Sequence, residues 1–206
     1  MRIMLVVGMI ALGGWMLSSG AWAAAGITGS AHDFSGESWT GEICNVCHTP
    51  HNAGSELVPL WNHATTATDP FTLYTSSTLD ATPGQPEGVS KACLSCHDGT
   101  VAIDSFGGAT GSTTLASNDD HNLGTDLSND HPISFTYDAA LATTDGGLYN
   151  PTTETSGLGS TIEADMLVSG KVECSSCHDV HNSSGLDDLL VKSNATSALC
   201  LTCHDK

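Results

Sequence analysis

Four pentapeptides in this chain share one spacing of cysteine and histidine. They are Cys44-Asn-Val-Cys47-His48, Cys93-Leu-Ser-Cys96-His97, Cys174-Ser-Ser-Cys177-His178 and Cys200-Leu-Thr-Cys203-His204. Each reads C-x-x-C-H, the attachment sequence of a c-type haem. The two sulfurs can form thioethers with the porphyrin vinyl groups, and the adjacent imidazole is placed to ligate the iron from one side. Two intervening residues set both sulfurs on one edge of a helical turn, with the histidine beneath the ring. All eight cysteines are used and none is left over. Zinc sites, redox dithiols and disulfide frameworks also use C-x-x-C pairs. None of them needs a histidine after every second cysteine. The chemistry expected is therefore covalent attachment of four haem c groups.

Axial ligation decides between electron transfer and catalysis, because a filled sixth position leaves no room for substrate. Beyond the predicted leader the chain holds one methionine, Met166, and six histidines outside the motifs: His32, His51, His63, His121, His131 and His181. Four irons need four of them, so the arithmetic favours bis-histidine ligation at low reduction potentials. His48, His97, His178 and His204 are the proximal ligands, and His51, His63, His131 and His181 the expected distal ones. His51 and His181 follow His48 and His178 by three residues. One turn of backbone cannot wrap a haem, so each is expected to serve a neighbouring iron. His51 is assigned to the haem of Cys93 and Cys96, and His181 to that of Cys200 and Cys203. His32, on the N-terminal segment, is a candidate donor to a neighbouring subunit, and His121 is read as an ordinary surface histidine.

The elements that must position these groups are few. The predicted fold class is an irregular, mostly coil multihaem cytochrome c. A few short helices at the CxxCH motifs and very short strands wrap around a chain of four haems. Ser90 is expected to cap a helix through His97 that stops near Gly99, and Pro50 to end a short helix at the first motif. Val101–Ile103 and Ile133–Tyr137 read as brief strands, residues 105–130 as loop, and a final helix capped at Ser193 or Asn194 delivers His204. The segment from Gly26 to Cys44 reads as an arm that reaches out of the subunit. The motifs start 49, 81 and 26 residues apart, so the expectation is a repeat of site but not of fold.

Residues 1–23 carry Arg2, an apolar run and an A-x-A ending at Ala23, which reads as a secretory signal peptide. Residues 24–206 are then one domain, exported to the cell surface or beyond. There, four lysines face 23 acidic residues, a formal charge of −19. That balance argues against nucleic acid and against insertion into anionic membranes. It favours cationic partners or mineral surfaces. Aromatic residues make up 5% of the chain, too few for an ordinary core against a backbone entropy cost of about 1–2 kcal/mol per residue. Porphyrin is expected to supply the missing apolar surface, leaving the apoprotein unfolded.

The stretches His32-Asp-Phe-Ser35, Cys44–Ala53, Pro59-Leu-Trp-Asn-His63, Leu94–Thr100, Leu127–Ile133 and Cys174–His181 resemble the extracellular tetrahaem cytochromes of metal-reducing bacteria that polymerise into filaments. That resemblance covers nearly all of residues 24–206. It implies bis-histidine haems in alternating stacked and T-shaped pairs, with one ligand donated across the subunit boundary. It also implies a head-to-tail homopolymer that takes electrons from outer-membrane or periplasmic cytochromes and passes them to metal oxides or other external acceptors. The alternative is a soluble periplasmic or secreted tetrahaem carrier that does not polymerise. An enzyme such as a multihaem nitrite or hydroxylamine oxidoreductase needs an open iron, often marked by an unusual attachment motif. All four motifs here are regular.

Overall fold

Serine, threonine, asparagine and aspartate are frequent in the stretches between motifs, and their side chains compete with helix and ladder for backbone groups. The resulting structure, a computed structural model, describes residues 26–54 and 57–205. The leader at 1–23 lies outside the described residues. Regular elements are short: α1 Gly88–His97, β1 Phe135–Thr136, α2 Ala139–Asp145, α3 Ile162–Met166, β2 Lys171–Val172 and α4 Cys200–Cys203. Single 3-10 turns occur at Phe34–Gly36, Cys174–Ser176, Asp187–Leu189 and Ala195–Ser197. No described helix is long and apolar enough to cross a membrane.

Helix α1 begins before Ser90. Its N-cap is Glu87, because the Ser90 hydroxyl is buried and donates to Glu173 instead of turning back on the helix. The end is as the sequence implies, with Gly99 in the left-handed region at φ 70°. Val101–Ile103 does not form a strand. The Asp104 carboxylate collects the backbone N–H groups of Ser112 and Thr113 at 2.9 and 2.8 Å, so the segment is stapled as a loop. Ile133–Tyr137 contracts to two paired residues, with Phe135 opposite Val172 and Thr136 opposite Lys171 in an antiparallel ladder. Its alternation survives: Phe135 and Tyr137 are buried and Thr136 is exposed.

The main core lies between the second motif and the fourth. Phe135, Tyr137, Ala142, Ile162, Met166, Val172 and Leu199 pack together. Asp138 caps α2 by accepting from Ala140 and Leu141, and Thr161 caps α3 by accepting from Ala164. Both caps satisfy donors that a helix start leaves open. The Tyr137 hydroxyl donates to the carbonyl oxygens of Tyr149 and Cys203 at 2.6 and 3.3 Å, which fastens this core to the fourth motif. Met166 is buried in that apolar cluster. A second cluster joins Leu94 of α1 to Phe71 and Leu127.

Candidate functional site

The first and third motifs are built alike, against the expectation that only the site repeats. In each, the histidine N–H reaches back to the first cysteine: His48 to Cys44 at 2.8 Å and His178 to Cys174 at 3.1 Å. A loop then returns to pair with the motif. Thr49 N–H donates to Leu60 and Asn62 N–H to Cys47; correspondingly, Asp179 donates to Leu189 and Val191 to Cys177. Asn52 and Asn182, each just past the third residue after the motif, have φ of 56° and 53°, and Leu60 and Leu189 have φ of 59° and 54°. The described residues of 44–54 and 57–62 therefore share one local fold with 174–191. The uneven spacing of the motifs hides this, because it reflects the loops between the units. The visible trace in the sequence is His-x-x-His-Asn, present at both.

The second motif rides on α1 and the fourth on α4. The Nδ1 atoms of His48, His97 and His178 face the carbonyl oxygens of Pro59, His121 and Asp188 at 2.8, 2.7 and 2.8 Å. A carbonyl on Nδ1 fixes the ring and leaves Nε2 to face a metal. None of these three carbonyls is recognisable in the sequence, since any residue supplies one.

Three motif imidazoles have a second imidazole across from them. His48 faces His181 with ring centres 6.3 Å apart and planes at 19°. His97 faces His32 at 6.0 Å and 85°. His204 faces His131 at 6.3 Å and 78°. An iron held between two imidazoles, each nitrogen about 2 Å away, sets ring centres about 6 Å apart. The three pairs thus fit an iron porphyrin between them. Across from His178 no imidazole stands among the described residues.

The pairing differs from the one expected. His32, not His51, is brought to His97; His181 is brought to His48 rather than to the fourth motif. His32 also lies in the same chain as its partner. The N-terminal segment folds back because Phe34, Trp39 and Phe106 pack ring on ring at 5.6 and 5.9 Å. Phe34 and Trp39 were the signal for this, read as part of an arm. Burial, followed by the nearby His97, His121 and His178, lowers His32 to about 4. His63 is buried with Nδ1 on the Ala64 carbonyl at 2.7 Å and Nε2 on the Ala102 carbonyl at 3.0 Å. It faces no motif histidine. His121 bonds Asp119 at 2.9 Å in an exposed loop, and His51 is exposed.

No two of the eight cysteines are joined as a disulfide. Burial, then Cys47, pushes the Cys96 thiol up to about 12; burial and Cys177 push Cys203 up to about 11. At Cys96 and Cys203 these surroundings disfavour the thiolate that a reactive dithiol needs, whereas Cys93 beside Cys174 holds the Cys174 thiol below its usual value. A thioether is uncharged and carries no such penalty. The motifs also adjoin one another in order. The Cys47 sulfur lies near that of Cys96, Cys93 near Cys174, and Cys177 near Cys203.

Residues 166–206, which hold the third and fourth motifs, match the model of the doubled CXXCH motif family. No curated protein matches the chain. Doubled CXXCH motifs mark covalent haem c attachment and a multihaem c-type cytochrome working in electron transfer.

Proposed function

We propose that this chain carries electrons through four bis-histidine c-type haems and is the repeating subunit of a head-to-tail extracellular filament. The observation that carries the electron-transfer reading is the set of three imidazole pairs at 6.0–6.3 Å. Bound haem would supply a one-electron iron couple. The chain's part is to hold the His48, His97 and His178 imidazoles by a carbonyl on Nδ1, to close both faces against substrate, and to keep successive attachment cysteines adjacent. Ligand sets are then His48 with His181, His97 with His32, and His204 with His131.

His178 and His51 support the filament reading. The unit 174–191 reaches across to the unit 44–62 through His181. Its counterpart His51 sits at the equivalent place in the first unit, exposed, and engages no motif histidine in its own chain. If the same contact repeats between subunits, His51 of one chain meets His178 of the next. Such a contact is heterologous and does not close. This moves the donor role from His32, which has a partner in its own chain, to His51. Cys200 and Leu201 are exposed at the fourth motif, which also suits coverage by a neighbour. Export to the cell surface, donor cytochromes upstream and metal oxides downstream remain part of the proposal.

The test is His51→Ala in the secreted, haem-loaded protein, imaged by electron microscopy and titrated with carbon monoxide in the reduced state. The expected result is loss of filaments and one carbon-monoxide-binding haem in four. Filaments of ordinary length with no new carbon monoxide site remove His51 from the joint.

A further inference from the structure

We propose that Glu173 is a built-in anion that lowers the reduction potentials of the haems attached at the second and third motifs. This rests on the haem reading above. Glu173 immediately precedes Cys174 and is buried, 4% exposed. Its Oε2 accepts hydroxyl hydrogen bonds from Ser90, on α1 between Glu87 and Cys93, and from Ser134 at 2.9 Å. The carboxylate also accepts from the backbone of Ser176, while the Glu173 N–H donates to the Ser176 hydroxyl at 2.9 Å. The Ser90 oxygen in turn accepts from the Cys174 N–H at 3.0 Å. All three serines are buried.

This carboxylate therefore sits on the seam where the second and third attachment sites meet, joined through Ser90 to the Cys174 N–H and to the helix that carries Cys93. Among the described residues no lysine, arginine or histidine nitrogen lies within ion-pairing distance of it. Lys171, two residues away, pairs with exposed Glu87 instead. Burying a carboxylate without a cation is costly, and hydroxyl donors offset only part of it. A glutamine could fill the same cap and accept the same hydroxyls. What the charge adds is a field in a place of low dielectric, where it acts strongly. Oxidation of an adjacent haem adds one positive charge to the iron, and a fixed anion favours that state. The iron gives up one electron to the next carrier, and Glu173 gains and loses nothing.

The test uses the full haem-loaded protein, with Glu173→Gln and the charge-retaining Glu173→Asp. Spectroelectrochemical titration is made on molecules that mass spectrometry shows to carry four haems. In the Gln variant the one-electron equilibrium of one or two haems should shift toward reduction about tenfold, which is about 59 mV. The remaining haems and the Asp variant should titrate as the parent does. Unchanged potentials in the Gln variant, equal shifts in both variants, or a Gln variant that never takes up four haems overturn the proposal in favour of a purely structural role. Failure of the underlying reading is distinct: the parent protein itself would then carry no covalent haem.

Discussion

Replacing His32 by alanine tests the in-chain pairing most directly. The His32 ring lies 6.0 Å from that of His97, is held in place by Phe34, and has its neutral form favoured, with the pKa down from 6.5 to about 4. Two consequences follow. In the reduced haem-loaded protein, one haem of four loses its sixth ligand. Carbon monoxide should then perturb about a quarter of the haem absorbance. Because donor and acceptor share a chain, dilution or mixing with parent subunits should not restore the ligand. The second consequence is acid sensitivity: a proton and the iron compete for the same His32 nitrogen, so acid should release this ligand in the parent and find nothing to release in the variant. The low-spin spectra of parent and variant between pH 7 and pH 4 measure it. A parent-like carbon monoxide spectrum, or superimposable pH profiles, would refute the placement of His32.

Ile162→Ala removes a fully buried side chain from the cluster of Phe135, Tyr137 and Met166, and should cost about 2–5 kcal/mol in denaturant unfolding while the haem spectra stay those of the parent. If the chain polymerises as proposed, growth should quicken when salt or divalent cations are added, because subunits this acidic, −18 over the full sequence, repel one another. Light scattering at several ionic strengths reads this, and a rate indifferent to salt would mean that local pairing at the joint dominates.

The attachment chemistry was legible in the sequence because it is local. Two sulfurs and an imidazole within five residues suit one porphyrin whatever the rest of the chain does, and the family match falls on the third and fourth of these motifs. The sparse secondary structure was legible for a related reason: residues that hydrogen-bond their own backbone, such as Asp104 and Asp138, favour loops and caps wherever they fall. The start of α1 was not, because Ser90 is drawn to Glu173, a residue far along the chain. Neither was the partner of each motif histidine. An imidazole looks the same at His32, His51 or His63, and only packing distinguishes them. Phe34, Trp39 and Phe106 fold the N-terminal segment back onto His97, two carbonyls enclose His63, and His51 is left outside. Composition and spacing thus determined what this protein can hold. The tertiary structure decided which imidazoles face one another, since the pairs of His32 with His97, His48 with His181 and His131 with His204 join segments distant in sequence and depend on how the loops between them pack.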